Sequence, residues 1–131
     1  MERHPHTGIA YGLWAAIAAG DPLALAGLLD EKCTWHMPGR SPLAGDHEGI
    51  EGVTAFMARV GELSDELVAE LRDVFVSDRG AVLHYTLEAR RGSELLETEH
   101  LFRVRIENDR VTEGHFAPLD QESYDRFWRY Q

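Results

Sequence analysis

Apolar residues recur every three to four positions through the first half of the chain and alternate with polar ones through much of the second. Ile9, Leu13, Trp14 and Ile17 lie at helical spacing within Thr7 to Ala19, a stretch that also holds five alanines, so a helix is predicted there. Gly20 suits a C-cap, Asp21 an N-cap, and Pro22 the first turn of a second helix running to about Asp30. The run Cys33 to Met37 is short, rich in strand formers and stopped by Pro38. From Pro38 to Gly49 the prolines and glycines predict a loop, long enough to be of functional interest. Ile50, Val53, Phe56, Met57, Val60 and Leu63 then mark a third amphipathic helix, closed by Ser64-Asp65.

Leu67 to Ser77, Ala81 to Arg90, Glu94 to Ile106 and Arg110 to Pro118 are rich in Val, Leu, Phe and Tyr. Short polar turns separate them, at Ser77-Asp78-Arg79-Gly80, Arg91-Gly92 and Glu107-Asn108-Asp109. Connections this short require antiparallel neighbours. Asp120 can cap a last helical turn in which Tyr124, Phe127 and Trp128 share a face. The predicted order is α-α-β-α-β-β-β-β-α, an α+β fold.

Alternation also assigns faces. In Glu94 to Ile106 the set His100, Phe102, Val104, Ile106 should face the core, which places a histidine in an apolar row. In Ala81 to Arg90 the pattern favours burial of Leu83, Tyr85, Leu87 and Ala89 over Val82, His84, Thr86 and Glu88.

At 131 residues, 44% apolar and 27% charged, the chain reads as one globular domain, 1–131, with enough core to fold without staples. The formal net charge of −10 and the lack of a clustered basic patch argue against nucleic acid and against an anionic membrane surface. A single cysteine, Cys33, excludes an internal disulfide framework. The start, Met1 to His6, does not resemble a signal peptide, and the longest weakly polar run is 11 residues, Ile9 to Ala19. That is short of the roughly 20 that a membrane helix needs. A cytoplasmic protein is expected.

No phosphate-binding glycine loop, His-Glu-x-x-His or Gly-x-Ser-x-Gly is present. Seven histidines are, and five of them, His36, His47, His84, His100 and His115, fall in or beside predicted elements. Histidine titrates near neutrality, so a pocket lined with it suits acid–base work. A lone strand histidine is more often structural; His4 and His6 read as a frayed terminus, His47 as an exposed loop residue, and Glu88, Glu97 and Glu99 as a solvated face. Of the five, no two are spaced i, i+2 or i, i+4, so no metal is expected. Cys33 and His36 fall on opposite strand faces, which argues against a thiol nucleophile.

The stretch Thr34-Trp35-His36-Met37-Pro38-Gly39-Arg40-Ser41-Pro42-Leu43-Ala44-Gly45-Asp46-His47-Glu48-Gly49 and the helix after it resemble the SnoaL-like branch of the nuclear-transport-factor-2-like superfamily. His100-Leu101-Phe102-Arg103-Val104, the turn at Asn108-Asp109 and the run to Leu119-Asp120 are similar too, and the resemblance covers nearly the whole chain. It implies a cone-shaped α+β barrel: a curved, mainly antiparallel sheet wraps against three N-terminal helices around a pocket. It also implies a homodimer through the outer sheet face and no cofactor.

Carried over residue by residue, the ketosteroid isomerase base before the proline falls on Met37. The water-holding pair of epoxide-hydrolase-like members falls on Thr34 and His36, their Arg-x-Asp on Thr86 and Glu88, and their late aspartate at Phe116. The histidine of the polyketide cyclases matches His100, and their acid falls near His115 or Phe116. The expected catalytic set is therefore His100 with His36, Glu88 and His115. Tyr11, Trp14, Trp35, Met37, Phe56, Thr86, Phe102 and Phe116 are the expected substrate-binding residues.

Two function classes follow. One is a cofactor-independent acid–base enzyme, of isomerase, cyclase or epoxide-hydrolase type, acting on a small apolar carbonyl or epoxide compound. The other is a ligand-binding or dimerisation module that lacks the family's catalytic acid.

Overall fold

The computed structural model describes residues 4–129; Met1 to Arg3, part of the stretch read above as unlike a signal peptide, lie outside them. Helix α1 (Pro5–Ala19) begins on His4 and ends on Gly20, whose φ of 61° is the left-handed conformation a glycine adopts freely. Asp21 caps α2 (Pro22–Leu28), its Oδ1 accepting from the backbone N–H of Leu23 and Ala24. His4 and His6 are not frayed: His4 Nε2 pairs with Asp78 at 2.8 Å, and His6 Nδ1 donates to the Ser77 carbonyl at 2.8 Å.

Strand β1 (Leu29–Met37) starts four residues earlier than predicted. The stretch expected to be loop yields a further strand, β2 (Gly45–Glu48), antiparallel to β1. Glycine-rich composition hid it, because its ladder is made by backbone groups rather than by apolar side chains. Helix α3 (Gly49–Leu63) and strands β3 (Glu66–Ser77), β4 (Gly80–Arg91), β5 (Glu94–Glu107) and β6 (Arg110–Pro118) follow, then α4 (Gln121–Phe127). The β5–β6 turn is built on Asn108 and Asp109, both at positive φ, as a twisted two-residue hairpin requires.

The fold is α+β: four helices and one curved, unclosed sheet in the order β2-β1-β6-β5-β4-β3. All neighbours are antiparallel except β1 and β6. That one parallel pairing sets Trp35 beside Gly114 and His36 beside His115. Cys33, Trp35, Met37, Leu83, Tyr85, His100, Phe102 and Phe116 face the helices and are buried. Their strand neighbours face away from them, so the sheet has an apolar inner face and a charged outer one. No described helix is long and apolar enough to cross a membrane.

Candidate functional site: an aromatic chamber between helices and sheet

A cavity of about 140 Å³ lies between the inner sheet face and the helices. Trp14, Ile17 and Ala18 of α1 and Phe56, Met57 and Val60 of α3 close it on the helical side. The strands contribute Met37, Leu67, Ala69, Tyr85, Leu87, Phe102 and Phe116, and the C-terminal helix adds Tyr124 and Trp128. Larger depressions of about 380 Å³ exist on the outer face, one bordered by Arg79, Arg103 and Arg105, the other by Glu70, Glu88, Glu97 and Glu99. Those are open and charged. The inner chamber is the less open and mainly apolar one with few polar groups, which is the usual form of a small-molecule site.

The aromatic rings fix its shape. Phe102 and Phe116 stack with centroids 4.0 Å apart and planes 1° from parallel, and Trp35 meets both edge-on. Gly114 makes this arrangement possible, because a Cβ there would stand 2.6 Å from Phe102 Cε1 and 2.9 Å from Trp35 Cδ1. Trp35 is itself fully buried beneath the wall rather than part of it. Met37, which occupies the isomerase-base position, offers the chamber a thioether in place of a carboxylate.

The polar side chains of this region are Tyr85, Tyr124 and His100. His100 is 1% exposed, opposite Tyr85 on the neighbouring strand. Its ring lies 5.1 Å from that of Tyr85, stacked, and 5.1 Å from that of Tyr124, edge-on. Among the described residues neither His100 nitrogen has a hydrogen-bond partner, nor do the indole N–H groups of Trp35 and Trp128. Burial in this apolar setting pushes the His100 pKa down to about 4, so the ring is neutral at pH 7. The same desolvation pushes both tyrosines well above their ordinary range, so they stay as neutral O–H donors.

The four residues expected to act together do not meet. His100 points into the interior, whereas His36, Glu88 and His115 stand on the outer face. The reason is the two-residue period: each is an odd number of positions from an inward neighbour, Met37, Ala89 and Phe116 respectively. Thr86 is likewise outward, where it accepts a hydrogen bond from Arg72 Nε at 3.2 Å. Tyr11 lies outside the buried stripe of α1 at 50% exposure and lines nothing. His47 is half-buried rather than exposed, donating from Nε2 to the Leu43 carbonyl at 2.9 Å with its ring 4.4 Å from Phe56. Cys33 is buried, and its thiol is pushed up to about 11, first by desolvation and then by Asp30, so it is a core residue and a poor nucleophile.

Sequence reasoning missed Tyr85 and Tyr124 as site residues. Tyr85 had been assigned to the buried set, and adjacency to His100 across the ladder was the signal that joined them.

Comparison with known proteins follows the same lines. The SnoaL-like domain family matches residues 11–114. An uncharacterised protein of Mycobacterium tuberculosis (strain H37Rv) is 26% identical over 117 residues, 88% of this chain and 89% of that one. Bal32a, from a soil-derived mobile gene cassette, superposes with a TM-score of 0.89 at 33% identity, over 95% of this chain and 96% of its own. TerC, co-crystallised with polyporic acid, shares the fold with a TM-score of 0.84 at 14% identity, over 95% of this chain and 98% of its own. Element order, open sheet, inner chamber and family match agree: the chain belongs to the SnoaL-like family of the nuclear-transport-factor-2-like fold.

Proposed function

We propose that the protein binds a small, uncharged, largely apolar molecule with one carbonyl or hydroxyl group in the inner chamber. One observation carries this: the inner cavity is walled by aromatic and aliphatic side chains and meets polar side chains only at Tyr85 and Tyr124, with neutral His100 behind them. A cavity near 150 Å³ with apolar walls accommodates a benzene-sized guest, and flexible Met37 and Met57 give room for somewhat more. The phenol groups suit the oxygen of such a guest, because a buried carbonyl must be hydrogen-bonded. TerC, whose crystals held polyporic acid, lends support at the level of fold.

The test is to release and identify co-purified small molecules by mass spectrometry. Binding is then followed through Trp14 and Trp128 fluorescence in the wild type and in Ala69→Phe, which fills the chamber from β3. The reading expects an apolar guest captured by the wild type and lost in a folded Ala69→Phe. A guest retained by that variant would overturn it.

A second reading, acid–base catalysis of isomerase or cyclase type, draws on His100 itself. Its neutral ring is stacked on chamber Tyr85 and neither nitrogen has a hydrogen-bond partner among the described residues, so a lone pair remains to accept a proton from a guest that reaches it. Once the guest is known, His100→Leu separates the two: catalysis predicts turnover lost by 10²-fold or more with affinity kept, whereas pure binding predicts no turnover in either protein. The reading keeps the homodimer that the resemblance implies, with Phe75 and Val68 as its exposed apolar contacts.

A further inference from the structure

The outer face carries a second constellation, on the far side of the sheet from the chamber. The parallel β1–β6 register brings His36 beside His115, and Glu113 sits two residues before His115 on the same face. The two imidazoles stack with centroids 4.4 Å apart and planes 16° from parallel. Both aim Nε2 at one carboxylate oxygen: His115 Nε2 hydrogen-bonds Glu113 Oε1, and His36 Nε2 lies 3.9 Å from it. One ligand atom from each of the three residues lies within 4.8 Å of the other two.

We propose that His36, Glu113 and His115 bind a divalent transition ion of the zinc class, with Asp46 as the group that orients His36.

Zinc takes nitrogen at about 2.0–2.1 Å and carboxylate oxygen at similar length. A tetrahedral set of such bonds places donors roughly 3.3 Å apart. To reach that spacing the widest separation, up to 4.8 Å, must close by roughly 1.5 Å and the hydrogen-bonded His115–Glu113 pair must open, both within the swing of partly exposed side chains.

The carboxylate that holds His36 from behind separates this cluster from an ordinary histidine–carboxylate pair. His36 Nδ1 donates to Asp46 Oδ1 at 2.5 Å, across the β1–β2 ladder. An ionised carboxylate only accepts, so the proton stays on Nδ1 and the lone pair on Nε2, facing Glu113. The other outer-face pair, His84 with Glu99 at 3.4 Å, and the terminal pair His4 with Asp78 do not belong to a three-donor cluster of this kind among the described residues. Two carboxylates, Glu113 and Asp46, balance the charge of the ion. Arg105 and Arg103, opposite Glu113 and His115 on β5, oppose it and limit affinity.

No local motif marks this site because its two histidines are 79 positions apart, and a parallel strand pairing unites them.

The experiment is isothermal titration of tag-free protein with zinc chloride at pH 7.5, with cobalt(II) absorption as a second readout. The wild type is expected to bind one equivalent and to give a visible cobalt band. His36→Ala and His115→Ala should each lose both, with circular dichroism unchanged. Asp46→Asn should weaken binding by about 10–100-fold, and Arg105→Gln should tighten it. His84→Ala and the double variant His4→Ala/His6→Ala should bind as the wild type does. Absence of binding in the wild type overturns the proposal. So does an equivalent that survives His36→Ala and His115→Ala, or one that disappears with His4 and His6.

Discussion

His100 is the residue whose chemistry the protein most visibly alters. An imidazole with no described hydrogen-bond partner, enclosed by Tyr85 and Tyr124, keeps its neutral form at a cost to stability in acid. Its pKa is lowered in the folded state to about 4 from an ordinary 6.5, so between those values the unfolded chain binds a proton that the folded chain does not. Stability therefore falls as pH drops from 6.5 towards 4, by roughly 3 kcal/mol from this group alone, and levels off below. Other ionisable groups also respond to pH, so the measurement is a difference. Urea unfolding of the wild type and His100→Leu between pH 7 and pH 4 should show a smaller acid loss in the variant. Equal slopes would mean that the imidazole is not buried as described. The inward direction of His100 was legible in its row with Phe102, Val104 and Ile106. Its unpartnered state was not, because that depends on what the other strands place opposite.

Elements carry the difference between the expected and observed site. Helix caps at Gly20 and Asp21, the hairpin turns and the buried set of β4 could all be read from local chemistry. His36, Glu88 and His115, the partners expected for His100, each fall on the outward alternation of their strands, and a one-residue difference in register exchanges the faces of a strand. The bulge between Arg105 and Ile106 is the local irregularity in the β5–β6 ladder. β2 and the parallel β1–β6 pairing were invisible to pattern, since neither alters the alternation of a single strand. Gly114 shows how tightly these elements approach: it faces inward between Trp35 and Phe102 with no room for a methyl group. Gly114→Ala should cost roughly 1–3 kcal/mol by overpacking, and the displaced Phe102 ring should narrow the chamber. Gly80→Ala should cost more, because its Cβ would lie 1.9 Å from the Val104 carbonyl oxygen, which is backbone and cannot rotate aside. Denaturant midpoints of the two variants check both the size and the order.

At the scale of the whole molecule, one open sheet separates two kinds of surface, and each suggests a different partner. The inner face, covered by helices, holds the apolar chamber for which a guest is proposed. The outer face carries His36, Glu113, Arg103, Arg105, Glu88 and Glu99, yet Phe75 on β3 remains 56% exposed there, next to Val82 in the ladder. A second copy is the occupant that the family resemblance implies for this face. The net charge of −10 opposes self-association through long-range repulsion, which salt screens over about 10 Å at 0.1 M. Association should therefore strengthen as ionic strength rises, the reverse of a contact held by ion pairs. Phe75→Asp places a further negative charge in the apolar part of the contact and should yield a monomer by light scattering at all salt concentrations. Capture of the chamber guest should survive, since Phe75 points away from the cavity. If Phe75→Asp leaves the mass unchanged, the copies meet elsewhere or not at all. If it releases the monomer but also abolishes guest capture, the two faces are coupled through β3 rather than independent.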